Sequence, residues 1–235
     1  MKILTIIPAY NEAPRIGRVV AGVRAALPGT DIVVVNDGSR DETADCAQAA
    51  GAHVVSLPFN LGYGVALQTG YKYALAHYYD YALQMDADGQ HEAGDLPRLL
   101  AVVQADRADV AIGSRFLNGG NYQAPLARRV GMRVFAAVAS GLTHTQITDP
   151  TSGFQALNRR VLKYYASPAY PVDYPDADVL IMLHYAGFRF VEVPVTMYPA
   201  STGKSMHSGL KPLYYVFKMF LSIFMVLLRG RQNGW

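Results

Sequence analysis

Residues 81–92 read YALQMDADGQHE. The opening YALQM is a short apolar run of the kind that forms a buried strand, and immediately behind it two carboxylates, Asp86 and Asp88, stand one residue apart. In a chain that is 51% hydrophobic, acids at the end of a buried strand imply a local demand for negative charge.

Strands of the same kind recur on both sides. KILTIIP (2–8) and DIVVVND (31–37) are continuous β-rich runs, HVVSL (53–57) and DVAIGS (109–114) are shorter ones, and helical patterns fill 13–26, 41–50, 63–77 and 93–106 between them. Fully apolar strands alternating with helices predict an α/β fold, a mostly parallel twisted sheet covered by helices on both faces. SRDE (39–42) has the spacing of a capping box and predicts the start of the second helix. In open sheets of this kind ligands bind beyond the carboxyl ends of the strands. Those ends are PAYNE (8–12), NDGSRDE (36–42), DADGQH (86–91) and GSRF (113–116), so the two acids share an edge with three other polar strand ends.

At 235 residues, of which only 17% are charged, the chain is long enough for one sizeable core and too apolar for disorder. We expect one domain over residues 1–208 and an appendage over 209–235. The single cysteine, Cys46, excludes an internal disulfide and fits a reducing compartment. MKILTIIPAYNE lacks a small-residue cleavage site and is cut short by Pro8 and Glu12, so it reads as a first strand rather than a leader. Residues 1–125 carry 9 Lys and Arg against 13 Asp and Glu, whereas residues 126–235 carry 12 against 5. The basic half has no run of five or more cations, which argues against nucleic acid and for a phospholipid surface or a phosphate-bearing substrate. A dinucleotide-binding enzyme is excluded by the first turn, PAYNEAP, which has no glycine; Gly62 and Gly64 follow the third strand instead.

On an extended segment carboxylates at i and i+2 point the same way, and Gly89 lets the chain turn so that Asp86 and Asp88 reach one ion. A hard divalent cation is held by one or two carboxylates together with substrate phosphates, and it neutralises a leaving diphosphate. The plainer alternative is an Asx turn or a cap on the following helix. Position at the ligand edge favours the cation. His91, beside the acids, reads as a hydrogen-bonded loop histidine, and the abundant tyrosines as packing groups.

Seven segments, PAYNE, VVNDGSRDET, NLGYGVALQTGYKYA, QMDADGQHE, IGSRF, TDPTSGF and EVPV, occur in an order and spacing that resemble the family 2 glycosyltransferases of GT-A fold, above all the branch of dolichyl- and polyprenyl-phosphate sugar synthases. The likeness runs from Ile6 to about Lys204. It implies a metal-dependent inverting transferase that moves a hexose from a UDP- or GDP-sugar to a polyprenyl phosphate, with Mg²⁺ or Mn²⁺ as cofactor. By the same resemblance Pro8, Tyr10 and Glu12 with Asp37 hold the base and ribose. Asp86, Asp88 and Gln90 hold the metal against the diphosphate, Arg115 lies near the phosphates, and Asp149–Phe154, including Ser152, borders the acceptor. Asp88, Arg115 and Asp149 are the implied catalytic residues. Many relatives have an arginine shortly before the GKS element, where this chain has Ala200 and Ser201, so Lys204 or His207 is expected to supply the charge on the acceptor. Two other readings stand beside this one: transfer to a sugar hydroxyl of a cell-surface glycan, and a nucleotide-sugar-binding module without turnover. A hydroxyl acceptor needs a general base, for which Asp149 is the candidate; a phosphate is already anionic, and Asp149 would then be positional.

The appendage contains PLYYVFKMFLSIFMVLLRGR (212–231), apolar from Leu213 to Leu228 except at Lys218 and Ser222. As a helix that stretch spans about 24 Å, short of the roughly 30 Å hydrocarbon core. Lys211, Lys218, Ser222 and Arg229 fall on one stripe. This predicts an amphipathic helix lying in a membrane interface, and a cytoplasmic enzyme peripheral on the inner face of the membrane. The alternative is a helix packed on the chain's own core or in the seam of a homo-oligomer.

Overall fold

The computed structural model describes residues 1–117, 126–171, 173, 175–198, 218 and 220–228, the side chains of 126–130 excepted. The first half follows the alternation read from the sequence: β1 (Ile3–Ala9), α1 (Ala13–Ala26), β2 (Asp31–Asn36), α2 (Thr43–Ala49), β3 (His53–Ser56), α3 (Tyr63–Ala76), β4 (Tyr81–Gln84), α4 (Leu96–Gln104) and β5 (Val110–Ser114). The second half adds α5 (Leu126–Thr143), β6 (Gln155–Asn158), α6 (Arg159–Tyr165), α7 (Ala177–Tyr185) and β7 (Phe190–Pro194). A turn of 3₁₀ helix, Ala93–Asp95, leads into α4.

The strands form one sheet in the order β3-β2-β1-β4-β6-β5-β7. All neighbours are parallel except β6, which runs antiparallel to both β4 and β5. Along β1 and β2 alternate residues enter opposite cores: Leu4, Ile6, Val33 and Val35 lie on the side of α3, and Ile7, Ile32 and Val34 on the side of α1. Both faces are dry, which is why these strands read as unbroken apolar runs. Helix α3 comes so close to β1 that a Cβ on Gly70 would collide with Ile6 Cγ2.

The expected capping box at SRDE does not form. The N-cap of α2 is Glu42, without a side-chain cap bond. Asp41 instead accepts N–H bonds from Thr43 at 3.1 Å and from Ala13 at 3.2 Å, and Ser39 Oγ accepts from Asn11 N–H at 3.0 Å. These side chains tie the end of β1 to the loop after β2, and Asp41 at the same time meets the first N–H of α2.

Residues 220–228 are helical, and both sequence readings of the tail meet here. Ile223 and Val226 are buried in the core beside α5 and α7. Ser222 donates to the buried carboxylate of Asp178 on α7, and Lys218 pairs with Asp173 at 2.8 Å. Ser222 on the polar stripe thus faces the protein, and Lys218 pairs with an exposed carboxylate of the same chain, which corrects the expected orientation; Lys211 and Arg229 lie outside the described residues. The outward face is the apolar one, with Phe220, Leu221, Phe224, Met225 and Leu228 all exposed. Among the described residues no helix is long and apolar enough to cross a membrane.

Burial pushes the Asp178 carboxyl up from its ordinary value, against the pull of Ser222 and two backbone N–H groups. A raised folded-state value means that stability is lost as pH rises from the ordinary carboxylate range through the raised value. Asp178→Asn keeps the acceptor oxygen and removes the titration, so melts across about pH 4 to 8 should show the variant gaining on the wild type as pH rises. A difference that stays constant over that range would contradict this.

Candidate active site

Strands β1, β2, β4 and β5 end at one edge of the sheet, and because β6 runs the other way its leading residues arrive at that same edge. This single reversal brings residues 149–154 beside Asp86. The two are in close register: a Cβ added to Gly153 would lie 3.3 Å from Asp86 Oδ1.

Asp86 and Asp88 follow β4 directly. Asp86 Oδ1 accepts from the Tyr63 hydroxyl at 2.8 Å, and Oδ2 lies 3.9 Å from His91 Nε2. His91 Nδ1 accepts the Asp86 N–H at 3.4 Å and its ring stacks on Phe154 at 4.7 Å, so His91 orients the turn, as the loop reading expects. Asp88 accepts from Gln90 twice, from the N–H at 2.9 Å and from Nε2 at 2.5 Å. Gln90 therefore reaches the acid pair through Asp88. Burial, and then the negative charge of Asp86, push the Asp88 carboxyl up from its ordinary value. Two like charges held together in a partly desolvated turn are unfavourable until a cation joins them. Among the described residues no group of three or more His, Cys, Asp or Glu is placed to hold a metal. The donor chemistry nevertheless fits Mg²⁺ or Mn²⁺, which take hard oxygen ligands from one or two carboxylates and complete their shell with phosphate and water.

Asp37 is buried, and both of its oxygens accept backbone N–H bonds, from Leu61 at 2.7 Å and Gly62 at 2.9 Å. It staples the loop that starts α3 and thereby places Tyr63. Around it, Gly38 must be glycine: φ is +64° and a Cβ would collide with the Phe59 backbone. Pro8 lies inside β1 opposite Val35, Tyr10 is exposed at the edge, and Glu12 pairs with Arg15 and offers its N–H to Thr43. Asn11, which the sequence reading passed over, has φ +54° and accepts the Arg40 N–H at 2.9 Å.

On the other side of the acids Arg115 and Asp149 form a buried fork. Asp149 Oδ2 accepts Arg115 Nε at 2.5 Å and its N–H at 3.0 Å, Oδ1 accepts Nη2, and Nη2 also reaches Thr151 Oγ1 at 2.8 Å. Glu192 on β7 holds this loop by accepting the N–H groups of Thr148 and Asp149, the latter at 2.7 Å. Asp149 is 0% exposed, and both of its oxygens are engaged by Arg115. Ser152 Oγ donates to the Gly113 carbonyl at 2.5 Å, which pins the segment to β5. Lys204, His207 and the GKS element lie outside the described residues.

A mixed sheet with its polar strand ends gathered around an acid pair is the architecture of a GT-A glycosyltransferase. The chain matches the family model "Glycosyl transferase family 2" over residues 5–165 and belongs to that family. It is 34% identical to the undecaprenyl-phosphate mannosyltransferase of Micrococcus luteus over 89% of this chain and 88% of that protein. It is 35% identical to the polyprenol monophosphomannose synthase of Mycolicibacterium smegmatis over 92% and 84%. Among solved structures, glucosyl-3-phosphoglycerate synthase of Mycobacterium tuberculosis, crystallised with Mn²⁺ and UDP, shares the fold with a TM-score of 0.69 at 20% identity, over 97% of this chain and 79% of that one. The chain is a glycosyltransferase of this family.

Asp37→Ala leaves the loop N–H groups of Leu61 and Gly62 without their acceptor, and we expect it to destabilise the protein by roughly 1–3 kcal/mol, read as a melting temperature lower by several degrees. An unchanged melt would return Asp37 to the nucleotide-holding role implied by the resemblance.

Proposed function

We propose that the protein transfers a hexose, with inversion, from a nucleotide sugar to a polyprenyl phosphate, and that Asp86 and Asp88 hold the divalent cation the reaction uses. The observation that carries the reading is the acid pair itself: two carboxylates, one of them desolvated, at the ligand-binding edge of a family 2 fold. Both relatives described above are named for transfer to a polyprenyl phosphate. A bound Mg²⁺ or Mn²⁺ supplies charge neutralisation for the departing nucleoside diphosphate. The chain's own residues supply the rest. Asp86 and Asp88 fix where the diphosphate sits, with Gln90 steadying Asp88. The Arg115–Asp149 fork, held by Glu192, shapes the side on which the acceptor arrives. Burial of Asp149 favours an ionised acceptor over a sugar hydroxyl, because a phosphate oxygen attacks without surrendering a proton, whereas a hydroxyl needs an accessible base. The outward apolar face of residues 220–228 supports a peripheral seat on the membrane, where such a lipid acceptor resides.

Product formation from a panel of nucleotide sugars and a short polyprenyl phosphate should require Mg²⁺ or Mn²⁺. Asp88→Asn should lower turnover at least about a hundredfold, since a charged ligand to the metal is lost. Full activity in excess chelator would defeat the metal assignment. For the membrane seat, Leu221→Asp with Phe224→Asp changes only the outward face. The pair should abolish sedimentation with anionic vesicles and leave the melting temperature close to the wild type. Undiminished vesicle binding would place the membrane contact elsewhere.

A further inference from the structure

The hydrogen bonds behind Asp86 run in one direction. The Tyr71 hydroxyl donates to Gln84 Oε1, Gln84 Nε2 donates to the Tyr63 hydroxyl at 3.2 Å, and the Tyr63 hydroxyl donates to Asp86 Oδ1 at 2.8 Å. Each proton points toward the carboxylate, so each bond polarises the next. The far end of the chain is rigid: Tyr71 is fully buried, with its ring edge-on to Tyr170 at 5.5 Å and tilted against Tyr165 at 5.2 Å. The near end is rigid too, because Tyr63 opens α3 directly behind the loop that Asp37 staples. Opposite the hydroxyl sits Gly153, where a Cβ would lie 2.5 Å from the Tyr63 oxygen. No ordinary contact is that short, so any larger residue at 153 displaces the hydroxyl.

We propose that Tyr63 is the positioning residue for Asp86: its hydroxyl, aligned by Gln84 and Tyr71 and admitted by the missing side chain at Gly153, holds that carboxylate in the orientation that receives a divalent cation. The proposal rests on the reading of Asp86 and Asp88 as cation ligands. It adds a residue whose effect on the cation is indirect and separable from the ligands themselves. One Asp86 oxygen is engaged by the hydroxyl, which fixes the carboxylate plane and leaves Oδ2 for the ion. A carboxylate that is already immobilised loses less rotamer freedom when it binds, and outer partners of this kind are typically worth roughly 10–100-fold in metal affinity.

The test uses the full chain and Mn²⁺ alone, with the free ion followed by electron paramagnetic resonance and the fold by thermal melting. Tyr63→Phe should bind Mn²⁺ roughly 10–100-fold more weakly than the wild type at a similar melting temperature. Gly153→Ala should also lose affinity, because its methyl displaces the hydroxyl and crowds the Asp86 carboxylate itself. Tyr71→Phe, which breaks the chain two links back, should show a smaller loss, and it carries the test if Tyr63→Phe melts early. A wild-type chain that takes up no Mn²⁺ would overturn the cation reading and this proposal with it. Mn²⁺ binding that both tyrosine variants leave unchanged would overturn the proposal alone.

Discussion

The mutual repulsion of Asp86 and Asp88 is the constraint on which the rest of the site depends. Two carboxylates one residue apart, one of them pushed toward its neutral form by burial and by the other's charge, keep their places only because the chain around them is over-determined. Gln90 grips Asp88, Tyr63 the Asp86 carboxylate, and His91 the Asp86 N–H. Each of these partners is itself held: Tyr63 by the Asp37 staple and the Gln84 bond, His91 by stacking on Phe154. Such a turn carries an electrostatic penalty in isolation, which a cation held there would offset.

The second requirement is a wall opposite the acids, and the reversed strand β6 meets it. Had β6 run parallel to its neighbours, the segment 149–154 would lie at the far edge of the sheet. Its reversal places Gly153 against Asp86 and Asp149 against Arg115, while β7, parallel to β5, brings Glu192 under the same loop. The Arg115–Asp149–Glu192 assembly contains one cation, a buried carboxylate and a half-buried one, and Glu192 is pushed up from its ordinary value by desolvation. Backbone N–H groups satisfy its oxygens, so the assembly functions as a brace.

The fold of the first half was legible because its signals are local. Buried parallel strands are apolar on both faces, and β1 to β5 and the helices between them appear where the runs KILTIIP, DIVVVND, HVVSL, YALQM and DVAIGS place them. The acid pair was legible for the same reason, as polarity at the end of such a run. Contacts between distant segments were not: Tyr63 lies 23 residues from Asp86, and Arg115 lies 34 from Asp149. The resemblance assigns Asp37 to the nucleotide, and nothing in the sequence signals that its two oxygens also accept from the backbone of a loop 24 and 25 residues away. SRDE has capping-box spacing, but Asp41 finds better partners across the turn. Amphipathicity showed that the tail has two faces without showing which one is outside. A buried carboxylate, Asp178, draws Ser222 inward and leaves the apolar side in the open.

The most direct measurement of the central claim is anomalous X-ray scattering from crystals grown with Mn²⁺ and a nucleoside diphosphate. The account predicts a manganese peak within coordination distance of both Asp86 and Asp88, with the diphosphate on its open side. A peak that contacts neither carboxylate, with the diphosphate bound elsewhere, would contradict it.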